Sequence, residues 1–169
     1  MHGGGERGVM LARGLAIAVV VVILDQLSKA AILGHFAASA YDGEQLTSFF
    51  NLVLVYNRGV SFGLFNAGAG SGAAADALLF SLAAALIVAG LVYWLRRVTS
   101  PLLAVAIGLI IGGAVGNVVD RIRLGAVVDF LDFHIGSWHW PAFNLADSAI
   151  CVGVAAMLLD GLLLHRETR

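Results

Sequence analysis

The chain has 169 residues, of which 60% are hydrophobic and only 12% are charged. A soluble domain has roughly 45–50% apolar and about 25% charged residues, and disordered chains are poorer still in apolar residues, so both classes are excluded. The formal net charge of −1 gives no reason to expect a nucleic-acid partner, and a single cysteine, Cys151, excludes an internal disulfide or a multi-cysteine metal site. The composition predicts one small integral membrane domain over residues 1–169.

Four stretches approach the roughly 20 apolar residues that a transmembrane helix needs, and they predict spans at about 11–33, 75–95, 98–119 and 144–164. The first stretch contains Asp25 and Lys29, and its alternative interpretation is a cleaved secretory signal peptide ending at Ala38-Ser39-Ala40. The long gap between its apolar run and that site, with two charges inside it, favours an uncleaved span.

Six of the ten basic residues fall in three short segments that the spans place on one side of the membrane. They are Arg7, Arg13, Arg96, Arg97, Arg166 and Arg169. The positive-inside rule therefore predicts that both termini are cytoplasmic and that two longer loops, at about 34–72 and 120–146, face outward. In the first loop, β-branched and aromatic runs surround an Asn57-Arg58-Gly59 breaker, which predicts a hairpin over 48–65. The expected fold class is an all-α membrane protein with four transmembrane helices and a small antiparallel sheet or hairpin on the outer side.

The third span carries a glycine repeat. Gly108, Gly112 and Gly116 recur every four residues, so they share one helix face, and close packing against another helix of the same bundle is expected. Because one bundle can use up this face, a monomer is expected. A second face is predicted to carry Gly113, Asn117, Asp120 and Arg121.

Carboxylates at membrane depth are costly and usually mark a functional site. Asp147 opens the fourth span, where capping of the helix is an alternative role, although Asn144 could cap it instead. Asp129 follows two valines, and its alternative role is that of a solvated surface acid. If the fold brings these two carboxylates together in a low-dielectric site, both cannot easily ionise. One would stay protonated while the other activates a water for amide hydrolysis.

Other polar residues have simpler expected roles. Asp25 and Lys29 lie one helical turn apart, which predicts an ion pair, although Lys29 could instead snorkel outward. Trp138 and Trp140 are expected at the membrane interface. His134 and His139 are expected to be solvated interface residues, with metal ligation as the alternative.

Five motifs, in order along the chain, resemble those of bacterial lipoprotein signal peptidases (signal peptidase II), and the resemblance runs from about residue 11 to 164. The motifs are Asp25-Gln26-x-x-Lys29, Asn57-x-Gly59-x-Ser61-Phe62-Gly63, Gly112-Gly113-x-x-Gly116-Asn117-x-x-Asp120-Arg121, Val128-Asp129-Phe130 and Phe143-Asn144-x-Ala146-Asp147-Ser148.

The resemblance implies an aspartic endopeptidase of the bacterial cytoplasmic (inner) membrane that removes the signal peptide from diacylglyceryl-modified prolipoproteins. The cut would lie just before the lipidated cysteine. The family's catalytic pair maps onto Asp129 and Asp147. The supporting or substrate-contacting positions are Asn57, Gly59, Asn117, Asp120, Arg121, Asn144, Asp25 and Lys29. The expected partners are prolipoprotein substrates and membrane lipids, with no cofactor and no metal.

Three other classes of function remain as alternatives. The run Gly59-Val60-Ser61-Phe62-Gly63 matches the nucleophile pattern of serine hydrolases, which would also need a histidine partner. Asp129, Asp132 and Asp147 could hold Mg²⁺ in a lipid-phosphate transferase. Asp25 and Lys29 could instead line an ion path in a small transporter or channel subunit.

Overall fold

The computed structural model describes residues 3–39, 42–59 and 73–167. Within these residues, four helices are long and apolar enough to cross a membrane, which confirms the predicted number of spans. They are α1 (Gly3–Phe36), α2 (Ala73–Leu95), α3 (Pro101–Leu124) and α4 (Leu145–Glu167). Helix α1 runs without a break through its charged residues and packs along α3.

Helix α3 lies at the centre of the bundle and contacts the other three helices. The predicted glycine face is confirmed, and it faces α1. A Cβ atom at Gly112 would lie 2.6 Å from the Val21 Cβ, and one at Gly116 would lie 2.6 Å from an Asp25 carboxylate oxygen. Since real Cβ atoms do not approach so closely, these glycines permit the contact between the two backbones. Gly113 faces α4 instead, against the carbonyl of Ala146.

Helix α3 has a clear signal at each end. The Ser100 hydroxyl accepts the backbone N–H of Leu103 at 3.2 Å and donates to the buried Asp160 carboxylate of α4 at 2.5 Å. At the other end Gly125 adopts a left-handed conformation (φ 71°) that glycine favours at a helix C-cap. The helix therefore continues for about one turn past the predicted span, which ended near residue 119. The last turn is polar because its side chains enter the site, and it is still helical.

A four-stranded antiparallel sheet lies beside the bundle, with its strands in sequence order. The strands are β1 (Gly43–Gln45), β2 (Phe50–Asn57), β3 (Val127–Ile135) and β4 (Trp138–His139). The expected small antiparallel sheet is confirmed, but its composition differs from the predicted hairpin. The described partners of β2 are β1 and β3, so the sheet joins the two loops, and the predicted strand after Gly59 lies outside the described residues.

The sheet is attached to the bundle through a small apolar cluster. Phe130 of β3 packs against Ile32 and Phe36 near the end of α1. Strand β3 also follows α3 directly in the chain, and α4 begins shortly after β3 and β4. This arrangement brings the polar residues of β3 next to those at the end of α3 and the start of α4.

Candidate active site

Asp129 is the third residue of β3 and is 1% exposed. Its two carboxylate oxygens accept hydrogen bonds from two asparagine side chains. The Asn57 amide, at the end of β2, donates to Oδ2 at 2.9 Å, and the Asn144 amide donates to Oδ1 at 2.7 Å. Asp129 is therefore not a solvated surface acid.

Asp147 lies in the first turn of α4 and is also buried. Asn144 caps this helix, because its side-chain oxygen accepts the Asp147 backbone N–H at 2.9 Å. In return the Asp147 carboxylate accepts the Asn144 backbone N–H at 3.3 Å, which is the reciprocal arrangement of a capping box. The other carboxylate oxygen accepts the Asn117 amide of α3 at 2.9 Å. Capping therefore leaves Asp147 facing the polar residues of α3.

One asparagine joins the two carboxylates. The Asn144 side chain donates to Asp129, and its oxygen accepts the backbone N–H of Asp147. Burial raises the pKa of Asp129 to about 7, with the nearby Asp147 charge adding to the increase and the hydrogen bonds from Asn57 and Asn144 opposing it. The fold therefore brings both predicted carboxylates into one electrostatically coupled site, in which one of them is readily protonated near neutral pH.

A buried lysine supports this site from α1. The Lys29 ammonium is 2.9 Å from Asp25 and 2.7 Å from Asp120, and it donates to the Asn117 side-chain oxygen at 3.0 Å. The predicted Asp25–Lys29 ion pair is confirmed, and the alternative in which Lys29 snorkels outward is wrong, because the side chain is 2% exposed. All three ammonium protons are used, so Lys29 fixes the amide of Asn117 that contacts Asp147.

The two remaining acids of this network hold backbone as well as Lys29. Asp25 accepts the backbone N–H of Ala146 at 3.0 Å, and Asp120 accepts that of Val128 at 3.2 Å. Asp120 and Asn117 both contact Lys29 of α1, as expected for residues that share a helix face, whereas Gly113 packs against α4. Helical geometry places Asp120 above Gly116, four residues earlier, on the α1 side.

Gln26 was absent from the predicted site residues, although it belongs to the network. Its amide donates to Asp120 at 2.9 Å and to Asp25 at 3.1 Å, and its oxygen accepts from Arg123 at 3.0 Å. Its position beside an acid in an apolar span was a usable signal, because a primary amide at membrane depth also needs polar partners.

Arg121 lies on the side of the site that faces α2. One guanidinium nitrogen donates to the Gly59 carbonyl at 2.7 Å, and Gly59 in turn donates its N–H to the Asn57 side chain at 3.0 Å. The Arg121 Nε is buried and has no hydrogen-bond partner among the described residues. A cavity of about 250 Å³ between α2, α3 and α4 is lined mainly by apolar side chains, with Asn117 and Arg121 as its polar members.

The contacts of Asp132 contradict the alternative in which three carboxylates hold Mg²⁺. Asp132 does not join Asp129 and Asp147, since its carboxylate accepts from Asn51 at 2.7 Å and contacts His139 at 2.9 Å. Although burial tends to raise its pKa, these two partners outweigh burial and lower it. The three-carboxylate Mg²⁺ arrangement therefore does not form.

The other two alternatives are an ion path along Asp25 and Lys29 and a serine hydrolase with Ser61 as its nucleophile. Asp25 and Lys29 are enclosed by partners at one end of the bundle, which does not favour an ion path. The candidate nucleophile Ser61 lies outside the described residues.

The chain is similar to known proteins over nearly its whole length. The sequence profile of the family described as Signal peptidase (SPase) II matches residues 17–163. The lipoprotein signal peptidase of Burkholderia vietnamiensis is 50% identical over 160 residues, which cover 94% of this chain and 93% of that protein. The enzyme of the same name from Paraburkholderia phymatum is 46% identical over 162 residues, covering 96% and 95%.

Solved structures agree with the sequence comparison. A bacterial membrane enzyme determined in meso at 2.3 Å resolution superposes with a TM-score of 0.76 and 30% identity, over 92% of this chain and 91% of that one. A second, at 1.9 Å resolution, gives a TM-score of 0.71 and 32% identity over 88% and 92%. With a family profile and close relatives that both span nearly the whole chain, the protein belongs to the signal peptidase II family.

Proposed function

We propose that the chain is an aspartic endopeptidase that removes signal peptides from diacylglyceryl-modified prolipoproteins, cutting just before the lipidated cysteine. Family membership supports cleavage of prolipoprotein signal peptides. The observation that supports the aspartic mechanism is the coupling of Asp129 and Asp147 through Asn144 in one buried site.

The environments of the two acids suggest different protonation states. Asp147 lies in the first turn of α4, where its carboxylate accepts the Asn144 backbone N–H and the Asn117 amide. Asp129 lies on a strand, and its pKa of about 7 favours the protonated form at neutral pH. We therefore assign the resting proton of the pair to Asp129 and the role of general base to Asp147.

Hydrolysis then proceeds in two steps. Asp147 accepts a proton from a water whose oxygen bonds to the scissile carbonyl carbon, while protonated Asp129 donates a hydrogen bond to the carbonyl oxygen. In the second step the C–N bond breaks and the leaving amine takes up the proton held by Asp147, which restores the starting state of the pair. No covalent enzyme intermediate is formed.

The surroundings suit a lipid-bound peptide. The apolar cavity beside Arg121 can accept side chains of a helical or extended signal peptide from the bilayer, and the free Nε of Arg121 can donate to a substrate carbonyl. In this proposal Asn57, Gly59, Asn117 and Asn144 hold the acids and Arg121 in place, and the Lys29–Asp25–Asp120 cluster fixes Asn117. The chain is proposed to act as a monomer in the bacterial inner membrane, with cytoplasmic termini and the site at the outer leaflet.

The test is cleavage of a diacylglyceryl-modified prolipoprotein by the purified full chain in detergent. Asp129→Asn and Asp147→Asn are each expected to lower kcat by about 10²–10⁴-fold, since the first removes the carboxylic acid that hydrogen-bonds the carbonyl oxygen and the second removes the general base. Asp42→Asn, which alters an exposed acid before β1, is the matched control and is expected to keep full turnover. Near-normal turnover in either site variant would contradict the mechanism. Equal cleavage of the unlipidated precursor would contradict the proposed substrate class.

A further inference from the structure

Two histidines face one another across the last two strands of the sheet. His134 of β3 pairs directly with His139 of β4, and their rings stack with centroids 4.9 Å apart and an interplanar angle of 19°. The prediction that both are solvated is wrong for His134, which is 9% exposed, whereas His139 is about half exposed. Asp132 and His134 alternate with Asp129 along β3, so they belong to the opposite face of the sheet from the catalytic pair.

The hydrogen bonds of the two rings define where their protons lie. The Nδ1 of His134 is 3.3 Å from the Gly136 carbonyl oxygen, and that of His139 is 2.9 Å from the Asp132 carboxylate. Both oxygens can only accept, so in each ring Nδ1 carries the hydrogen. In the neutral imidazoles, each Nε2 therefore presents a lone pair.

One of these lone pairs is buried without a partner. The Nε2 of His134 is inaccessible to solvent and makes no hydrogen bond to any described residue. A buried polar atom in this state is costly, and an unpaired acceptor nitrogen of imidazole is also a metal ligand. A histidine that ligates a metal typically donates its other N–H to a carboxylate or a backbone carbonyl, and here one histidine has each kind of partner.

Both rings line a cleft of about 390 Å³ whose opposite wall is β1. Glu44 of β1 lies on that wall, where its carboxylate contacts His35 at 3.0 Å. We propose that His134 and His139 bind a borderline divalent cation of the Zn²⁺ type in this cleft, at a site separate from the peptidase centre. Imidazole nitrogen suits such a cation, and the Asp132 carboxylate would orient His139 from behind.

The described residues contain no ready-made group of three ligands, so the site is an open one with two protein nitrogens. Water completes the coordination. Bonds of about 2.0–2.1 Å in a tetrahedral geometry need the two Nε2 atoms roughly 3.4 Å apart. The two rings are stacked with nearly parallel planes, so one ring has to turn before both Nε2 lone pairs can point to one ion. The half-exposed His139, on a two-residue strand, is the side chain free to do so.

The experiment is a calorimetric titration of the purified, tag-free chain in detergent with Zn²⁺ near neutral pH. One site is expected, and His139→Gln and His134→Gln are each expected to weaken its affinity at least about tenfold. Asp132→Asn is expected to weaken it by about 10–100-fold, as is common for a partner that orients a ligating histidine. His165→Gln, far along the chain near the C-terminus, is the matched control and should leave the affinity unchanged.

A second measurement separates binding from misfolding. Zn²⁺ should raise the thermal unfolding temperature of the wild type and of His165→Gln, and this increase should vanish in His139→Gln while the metal-free unfolding temperature stays the same. If His139→Gln binds Zn²⁺ as tightly as the wild type, or if the wild type shows no site at all, the proposal is wrong. Neither result depends on peptidase activity, so it leaves the roles of Asp129 and Asp147 untouched.

Discussion

Replacing Asp129 with asparagine should change the pH dependence of stability in a defined direction. In the folded protein the pKa of Asp129 is raised from 3.8 to about 7, chiefly by burial. A group whose pKa is higher in the folded state binds its proton more tightly there. Its contribution to stability is therefore fully present below about pH 3.8 and is lost as the pH rises through about 7.

The size of the effect follows from the shift. At about 1.4 kcal/mol for each pKa unit, the wild type loses at most about 4 kcal/mol from this group between acid and alkaline pH. Asparagine cannot ionise, so Asp129→Asn escapes that loss. It has one acceptor oxygen where the carboxylate has two, and both Asn57 and Asn144 donate to this position, so the variant forfeits about 1 kcal/mol at every pH. The variant is therefore expected to be slightly less stable than the wild type in acid and more stable above neutral pH.

The assay is thermal unfolding in detergent, followed by tryptophan fluorescence from about pH 2 to 9, with the difference between variant and wild type plotted against pH. Asp132→Asn provides a control of opposite sign. The pKa of Asp132 is lowered by its partners despite burial, so its contribution is present above about pH 3.8 and is lost as the pH falls through the lowered value. A difference for Asp129→Asn that is flat with pH, or that favours the wild type increasingly as pH rises, would refute the reasoning.

Three further substitutions test the packing of the helices around the site. Gly113→Ala places a methyl group against the Ala146 carbonyl, so it should lower stability by about 1–3 kcal/mol and should also lower activity. Its control is Gly90→Ala, whose methyl group would meet nothing within 4 Å and should be neutral or slightly stabilising. Equal unfolding temperatures for the two variants would contradict this prediction. Lys29→Met leaves two buried carboxylates without their cation and should cost about 3–5 kcal/mol, so an unchanged denaturation midpoint would argue against the buried ion network. Ser100→Ala removes both a helix cap and the hydroxyl donor to a buried carboxylate of α4, and chemical denaturation should show a loss of about 1–3 kcal/mol; a loss below the error of the measurement would show that water replaces the hydroxyl.

The parts of the structure that depend on local sequence could be predicted. Apolar length defined the four helices, four-residue spacing predicted a glycine face packed within the bundle, and the Asn144–Asp147 spacing allowed helix capping. Each of these is decided by residues within a few turns of one another. The family motifs also identified the residues that the fold later gathers around Asp129.

The features that escaped prediction depend on partners far away in the chain. Strand β3 was read as loop, because its acids interrupt the apolar alternation and its pairing partner β2 is some 75 residues earlier. The contact between Asp120 and Lys29 was not predicted, because only the packing of α1 against α3 shows that these two residues meet. The burial of His134 likewise depends on a register with β4 that single-sequence patterns do not define.

The Asp25–Lys29 pair also affects how the chain enters the bilayer. Helix α1 is synthesised first, before the acid and the amide of α3 that later surround Lys29 exist. Because the two charges lie one turn apart on the same helix and contact each other at 2.9 Å, α1 can carry them into the membrane as a neutral pair with a much reduced insertion cost. The later arrival of α3 then adds a second carboxylate to an ammonium that is already buried. The early ion pair therefore keeps Lys29 inside the first span, where Asp120 and Asn117 contact it once α3 is in place.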